Sequence, residues 1–368
     1  MNSPQIQILQ KTPKGPLRFR EGGWLILVMF IMIIALLAWA LAGPLLQITN
    51  RPPGDGETLE SYAFDLSQPR IPLEAIEPAM LYRDMPPVLD DPMILDPESV
   101  RQLNEARKPY LVPDDLVIGI ELGGVSRAYP LLLLNVHEII NDEMEDVPLA
   151  VMWHWPSGTA TVFDRRIADE NMSFGFSSLV GHGNMLFYPR NQSGETGGEP
   201  LLSQGLGQSV TGPELTLTSI PHDVVRWGDW LERHPETTVV AAVPELKQRY
   251  KKGKPDTWFA SSGLMFSVPP PNFGPRPKAP VLLAKGKHSS LVIPIEEMAL
   301  EAGEDGHLTI ELDGEQLEME FTQNPYTARV KDLPDGFQAQ RMLWITAHAM
   351  HPEADLLVPE TGFAPNQP

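Results

Sequence analysis

The sequence predicts an α+β protein: mostly antiparallel β structure with a few short helices, arranged as two unequal internal repeats behind one N-terminal transmembrane helix. Three observations lead to this fold class. An uncharged apolar run lies near the N-terminus. Short β-branched and aromatic runs, separated by Gly, Asn, Pro and Ser, are typical of strands and turns. Two sequence patterns also recur later in the chain, in the same order.

The apolar run extends from Trp24 to Leu46 without a charged residue. A helix of this length spans roughly 34 Å, enough for a hydrocarbon core of ~30 Å. Four cations and one acid precede the run, which predicts that residues 1–23 stay in the cytoplasm. The protein is then a single-pass protein of the inner or cytoplasmic membrane, with its bulk periplasmic or extracellular. The alternative is a long signal peptide that is cleaved after Ala42.

Composition excludes several classes of function. The chain holds 28 Lys and Arg against 48 Asp and Glu, and its net charge of −20 argues against binding to nucleic acid. It has no cysteine, which rules out disulfides, thiolate metal sites, Fe–S clusters and a cysteine nucleophile. The expected partners are the lipid bilayer, through residues 24–46, and an unknown protein or small molecule outside the cytoplasm.

Proline divides the part beyond the membrane helix into segments. Residues 47–110 are Pro-rich and predict either a tether or an irregular arm packed on the folded domain, with one possible helix near Pro97–Lys108. Residues 111–268 form the first, longer β-rich repeat. A second Pro-rich stretch, 269–280, links it to a shorter repeat at 281–360, and residues 361–368 form a tail.

Local patterns within the first repeat predict its elements in order. Leu116–Glu121 and Val125–Tyr129 flank Gly123-Gly124 and predict a hairpin. Leu131–Ile140 has helical spacing, and His222–His234 shows one apolar helix face that stops at Pro235. The remaining apolar runs predict antiparallel strands at Leu149–Trp155, Thr159–Arg165, Ser173–Phe176 and Met185–Tyr188.

Two matched pairs of segments indicate the internal repeat. Val117–Pro130 aligns with Val281–Pro294 at an offset of 164, and Trp227–Glu236 aligns with Trp344–Glu353 at an offset of 117. A hairpin predicted around Asp313-Gly314 matches the middle of the first unit. The second copy is therefore shorter by 47 residues, the difference between the two offsets, and lacks a counterpart of much of 173–212.

Several stretches together resemble the bacterial and archaeal family known as domain of unknown function 3179. The resemblance is carried by Asp114–Val151, Ala160–Arg166, Gln204–Gly212 and Trp230–Val240, and it covers roughly Lys108 to Glu360. It implies a secreted or membrane-anchored domain without an established activity. Members usually carry Cys-x-x-Cys where this chain reads His154-Trp155-Pro156-Ser157, and tend to carry Trp at the position of Leu202. These departures predict altered or absent chemistry.

The histidines suggest a metal site. His137, His154 and His182, with Asp142 or Asp164 adding an oxygen, would suit Zn, Cu or Fe. On a helix His137 would share a face with Asn141, four residues later. The structural alternative is that Asn141-Asp142 caps that helix and His137 forms hydrogen bonds within the sheet.

Four further residues form a candidate rim for a ligand site: Ser157, Asp164, Arg165 and Gln204. Asp164 beside two arginines is equally typical of a salt bridge at a strand end.

Two classes of function follow. The first is a membrane-anchored extracytoplasmic binding or scaffold module that needs no cofactor and is not expected to be an enzyme. The alternative is a metal-dependent enzyme or a metal-binding protein that uses His137, His154 and His182. The loss of the Cys-x-x-Cys pair and the shortened second copy favour the first class.

Overall fold

The computed structural model describes residues 23–49, 52–105, 109–191, 197–250 and 254–363. The chain divides into two compact units, residues 1–52 and residues 53–368. Nearly all of the predicted cytoplasmic segment (1–22) and most of the C-terminal tail (364–368) lie outside the described residues.

The first unit contains helix α1, Gly23–Thr49. Its stretch from Gly23 to Leu41 has a mean hydropathy of 2.9, and none of that stretch is buried against other protein. The helix is therefore long and apolar enough to cross a membrane, a property that a membrane anchor and a signal sequence share.

Six short helices lie in the described part of the second unit: α2 (Pro97–Glu105), α3 (Leu131–His137), α4 (Trp227–Arg233), α5 (Lys254–Ala260), α6 (Ile295–Glu301) and α7 (Trp344–Met350). The strands up to residue 240 are β1 (Ile76–Pro78), β2 (Leu89–Asp90), β3 (Ile94–Leu95), β4 (Leu116–Leu122), β5 (Val125–Pro130), β6 (Ile139–Met144), β7 (Val147–His154), β8 (Thr159–Asp164), β9 (Arg166–Ile167), β10 (Glu170–Asn171), β11 (Phe174–Gly181), β12 (Asn184–Pro189), β13 (Leu202–Ser203), β14 (Gln208–Ser209), β15 (Asp223–Arg226) and β16 (Thr238–Val240). The later strands are β17 (Pro280–Lys285), β18 (Ser290–Pro294), β19 (His307–Leu312), β20 (Glu315–Thr322), β21 (Thr327–Val330), β22 (Gln338–Leu343) and β23 (Asp355–Leu356). Short helices and mostly antiparallel sheets confirm the predicted α+β class.

Four strands of one five-stranded sheet in the second unit have the same topology as a second, four-stranded sheet. In the order β15-β4-β5-β16, the first three strands pair antiparallel and the last pairs parallel. The order β22-β17-β18-β23 repeats this pattern strand for strand. A three-strand antiparallel meander follows each central hairpin, β6-β7-β8 in one case and β19-β20-β21 in the other. Contacts between these parts are reciprocal, since β15 contacts β21 and β22 contacts β8.

The largest apolar core of the second unit lies under α3. It joins the β4-β5 hairpin to the inward face of β7 and β8, with Ile118, Tyr129, Leu134, Val151 and Val162 nearly inaccessible. The opposite face of β7 and β8 packs on β11 and β12 through Met152, Phe163, Phe176 and Phe187. The sheet that carries His154 is therefore buried on both faces, which explains its continuous apolar sequence.

The Pro-rich segment that precedes the first repeat packs on the second unit. Its β1 pairs with β11, β2 with β6 and β3 with β16. Tyr62 and Val100 are buried, and Arg83 forms a buried ion pair of 2.7 Å with Glu199. Residues 53–105 are thus packed as an irregular arm, which is one of the two alternatives that the sequence allowed for residues 47–110. Proline restricts this arm to short strands.

Two local predictions were wrong. The helix predicted over Leu131–Ile140 ends at His137, because Glu138 has φ +58° and strand β6 begins at Ile139. His137 and Asn141 therefore do not share a helix face, and Asn141-Asp142 does not cap a helix. The helix predicted within His222–His234 begins only at Trp227, since Asp223–Arg226 pairs with β4 as strand β15.

Candidate functional site

The turn between β7 and β8 organises the candidate site. Strand β7 ends at His154 and β8 begins at Thr159. Gly158 has φ +60°, and a Cβ there would lie 2.8 Å from the Leu343 side chain, so only glycine fits. The Leu343 amide donates a hydrogen bond of 2.8 Å to the Ser157 carbonyl, which ties the turn to β22.

A buried polar network surrounds this turn. The Ser157 Oγ lies 2.7 Å from the His154 Nδ1 and 2.9 Å from the Thr159 Oγ1. Asn184, from β12, donates from its Nδ2 to the Ser157 Oγ, to the Thr159 Oγ1 and to the Gln204 Oε1, at 3.0–3.1 Å. Gln204 in turn donates to the Thr159 carbonyl at 2.9 Å. The structure thus brings together three of the predicted site residues, His154, Ser157 and Gln204, and adds Thr159 and Asn184.

Burial determines the electrostatics of this network. His154 is 2% exposed and Ser157 is 1% exposed. Desolvation lowers the pKa of His154 to about 3, so the imidazole is neutral at neutral pH. The ring of Phe266 stacks on His154, with 6.0 Å between ring centroids. A Ser–His pair at this distance can act as nucleophile and base, but Phe266 and the burial of both side chains keep a substrate away in this conformation.

The other predicted metal ligands have different partners. His137 lies 2.5 Å from the Pro87 carbonyl through its Nδ1 and 2.7 Å from the Tyr250 hydroxyl through its Nε2. The Nδ1 must donate to the carbonyl, so the Nε2 accepts from Tyr250 and neither nitrogen is left for a metal. Asp142 pairs with Arg127 at 2.7 Å and accepts from the Tyr129 hydroxyl at 2.7 Å.

His182 lies in the turn between β11 and β12 at φ +51°, where it lines a separate pocket of about 470 Å3. Its pKa is lowered by partial burial. Within the described residues, no group of three or more His, Asp or Glu side chains is arranged to hold a metal ion. The four predicted ligands are therefore not gathered into one site: His137 and Asp142 have other partners, and His182 sits in a separate turn.

The two remaining rim residues have structural partners. Arg165 donates to the carbonyls of Leu149, Met172 and Asp142, so its guanidinium joins adjacent segments. Asp164 forms an ion pair with Arg166, two residues later at the strand end. Neither residue belongs to the polar network around His154.

An open cleft, which sequence reasoning missed, lies next to the turn. Trp153 and Trp155, which flank His154, line this aromatic cleft together with Tyr250 and Phe259. Its volume is about 500 Å3, and it contains Asp114, Asp115 and the cations Arg249, Lys278 and Arg341. The sequence signal for this cleft was the alternation Trp153-His154-Trp155 at the end of β7. Successive residues of a strand point to opposite faces, so the tryptophans could face a cleft while His154 faces the interior.

Arg341 differs from the paired arginines of the described residues because it is partly buried in the aromatic cleft without a carboxylate partner among them. It is partly buried, and its only hydrogen bond to a described residue runs from Nη1 to the Tyr326 carbonyl, at 3.3 Å. No carboxylate of the described residues lies within 4 Å of it, whereas Arg329, in strand β21 of another sheet, pairs with Glu320 at 2.6 Å. Burial lowers the pKa of Arg341 to about 10. A desolvated guanidinium without a counterion is costly and favours an anion from outside.

The fold and the site define an α+β domain with a buried polar network beside an open aromatic cleft. A family model described as Protein of unknown function (DUF3179) matches residues 87–334. The chain belongs to this family. No curated protein and no solved structure matches the chain.

Proposed function

We propose that this protein is a single-pass membrane protein whose folded unit binds a small organic anion outside the cytoplasm. The observation that carries the proposal is Arg341, a partly buried cation without a carboxylate partner among the described residues, in a cleft rich in aromatic rings. The ligand would place a carboxylate or phosphate against Arg341 and an apolar or aromatic body against Trp153 and Trp155.

The dimensions of the aromatic cleft support a small molecule. Its volume of about 500 Å3 falls within the range of roughly 300–1,000 Å3 that is typical of such sites. Among the described residues that line it, three are cations and two are acids. Lys278 is partly occupied, since its Nζ donates to the Trp258 and Ser261 carbonyls at 2.7 Å and lies over the Trp258 ring. Arg341 is therefore the better anchor, and its planar guanidinium can bind an oxyanion with two hydrogen bonds.

The same proposal includes an internal duplication and a membrane anchor. The shared strand order of the two sheets and the reciprocal contacts of β15 with β21 and β22 with β8 support the duplication. The apolar helix α1 and the cations that precede it in the sequence support an anchor with a cytoplasmic N-terminus. In this arrangement α1 would hold the binding unit at the outer surface of the membrane.

Ligand binding is tested with the full-length protein in non-ionic detergent. Trp153 and Trp155 line the cleft, so tryptophan fluorescence should report titration with benzoate, phenyl phosphate or hexanoate, with benzyl alcohol as the uncharged comparison. We expect saturable binding of at least one anion and at least tenfold weaker binding for Arg341→Gln. Arg276→Gln is the matched control, because Arg276 is exposed and pairs with Glu296. Equal affinity of Arg341→Gln and the unaltered protein would refute the assignment.

Topology is tested by cysteine labelling, since the natural chain has no cysteine. In intact cells, a membrane-impermeant maleimide should label Lys287→Cys and leave Lys14→Cys unlabelled until the cells are opened. The mass of the mature protein distinguishes an uncleaved anchor from cleavage after Ala42. Labelling of Lys14→Cys in intact cells would contradict the proposed orientation.

A further inference from the structure

A small cavity lies where β8 contacts β22. Its volume is about 110 Å3, and Thr161, Lys285 and Gln340 are among its lining residues. The exposed side chain of Gln338 lies at its rim, which gives a path from solvent. We name it the Gln340 cavity. It is separate from the aromatic cleft, and Arg341 does not line it.

Three hydrogen-bond donors of the Gln340 cavity have no partner among the described residues. Gln340 is 8% exposed and Thr161 is 3% exposed, and neither the Gln340 Nε2 nor the Thr161 Oγ1 has a hydrogen-bond partner. Lys285 is partly buried, and its Nζ makes no hydrogen bond or ion pair with a described residue. An unsatisfied buried polar group costs about 1–3 kcal/mol. Two such buried donors and an unpaired lysine around one cavity therefore point to a partner that is not part of the chain.

The equivalent place in the other sheet shows what such a partner would look like. Asp223 precedes Trp227 by four residues, as Gln340 precedes Trp344. Arg329 is the third residue of β21, as Thr161 is the third residue of β8. Where β15 contacts β21, the Asp223 carboxylate lies 3.8 Å from Arg329 and 3.5 Å from Arg233. At that position the protein itself supplies the carboxylate.

Three matched positions differ in charge between the two places. Lys285 pairs with Ser290 in its hairpin, as Glu121 pairs with Ser126, so a lysine replaces a glutamate. Gln340 replaces Asp223, and the short Thr161 replaces the long Arg329. Glu121, Asp223 and Arg329 at the first place thus correspond to Lys285, Gln340 and Thr161 at the Gln340 cavity. At the first place an ion pair lies in the wall of an open pocket of about 480 Å3, whereas the second place is a cavity of about 110 Å3 beside a lysine without a carboxylate partner among the described residues.

The titratable neighbours of Lys285 do not neutralise its charge, so the ammonium group can pair with a bound anion. His351 lies close to it, and burial together with the Lys285 charge lowers the pKa of His351 to about 4, so the imidazole is neutral. Glu353, the acid that acts on Lys285, is 69% exposed and therefore screened by solvent.

We propose that the Gln340 cavity binds a small oxyanion, namely phosphate, sulfate or a short carboxylate such as acetate. Its charge pairs with Lys285, and its oxygens accept hydrogen bonds from Gln340 and Thr161. The ligand occupies the place that the Asp223 carboxylate fills in the other sheet.

Binding is measured with the full-length protein in non-ionic detergent, by calorimetric titration with phosphate, sulfate and acetate at an ionic strength held constant with sodium chloride. We expect saturable binding of at least one of these anions, and the preferred anion separates a tetrahedral from a planar site. Lys285→Met and Gln340→Met should each weaken binding at least tenfold. Lys287→Met is the matched control, because Lys287 is two residues away and exposed.

Thr161→Val replaces one hydroxyl by a methyl group without altering side-chain shape, and it should also weaken binding. This variant tests the site even if Lys285→Met or Gln340→Met prevents folding. Absence of saturable binding for all three anions would overturn the proposal. So would a Lys285→Met protein that folds and binds as tightly as Lys287→Met. Binding that Lys285→Met removes and Arg341→Gln retains belongs to the Gln340 cavity. Binding that only Arg341→Gln removes belongs to the aromatic cleft and would overturn the proposal for the Gln340 cavity.

Discussion

Glu138 is a carboxyl group that the fold keeps out of water. It follows helix α3 at φ +58°, is 3% exposed, and its Oε2 has no hydrogen-bond partner among the residues that the structure describes. Burial raises its pKa from 4.5 to about 8, so the folded protein carries this carboxyl protonated at pH 7. In the unfolded chain the same group ionises near 4.5. Folding at neutral pH must therefore take up a proton.

The sign of the pH dependence follows from the raised pKa. The contribution of Glu138 to stability is fully present below the unfolded pKa of 4.5 and is lost as the pH rises to about 8. Each pH unit in this range costs about 1.4 kcal/mol. The penalty is therefore about 3 kcal/mol at pH 7 and approaches about 5 kcal/mol above pH 8. Glu138→Gln removes the ionisable group while retaining its shape.

We expect Glu138→Gln to be close to the unaltered protein in stability at pH 5 and about 3–4 kcal/mol more stable at pH 8. The assay is urea unfolding of the full-length protein in non-ionic detergent, followed by tryptophan fluorescence at several pH values. Glu143→Gln is the control, because Glu143 lies in the next strand and is exposed. A difference between Glu138→Gln and the unaltered protein that is equal at pH 5 and pH 8 would refute the reasoning.

Two further perturbations test how the unit is held together. Glu199→Gln leaves Arg83, which is 1% exposed, without its counterion and should cost about 3–5 kcal/mol of unfolding free energy, measured by urea unfolding. Gly119→Ala places a Cβ 2.3 Å from the nearest ring atom of Trp230 and should cost about 1–3 kcal/mol or prevent folding. Gly263→Ala meets no neighbour and should leave the thermal midpoint unchanged.

Matched controls make these outcomes decisive. Glu98→Gln removes the partner of an exposed ion pair and should change stability by less than about 1 kcal/mol. If Glu199→Gln were as mild as Glu98→Gln, the buried pair would not hold the Pro-rich arm. If Gly119→Ala and Gly263→Ala had the same thermal midpoint, β4 could not pack as closely against α4 as the structure shows.

Local structure was largely predictable where one strong signal dominates. The hairpin around Gly123-Gly124 forms as expected, because both glycines have positive φ, at +60° and +82°. The uncharged run at the N-terminus forms one helix of 27 residues. In contrast, the helix prediction at Leu131–Ile140 ran too far, since a single residue, Glu138, ends the helix and periodicity does not detect it.

The candidate site was only partly predictable. The sequence singled out His154, Ser157 and Gln204, and the structure places these three in one network. It also singled out His137 and Asp142, which the fold assigns to Tyr250 and Arg127. Residue type indicates what a side chain can bind, but its partners are set by which strands lie side by side.

The sequence by itself determined the apolar helix, the α+β class, the family resemblance and the absence of thiol chemistry, because each follows from composition or short-range pattern. Only the tertiary structure decided that Arg341 lacks a carboxylate partner among the described residues, that Glu138 is desolvated, and that Thr161, Lys285 and Gln340 share one cavity. The physical reason is that burial and pairing depend on residues far apart in the chain. Thr161 and Gln340 meet only because β8 contacts β22.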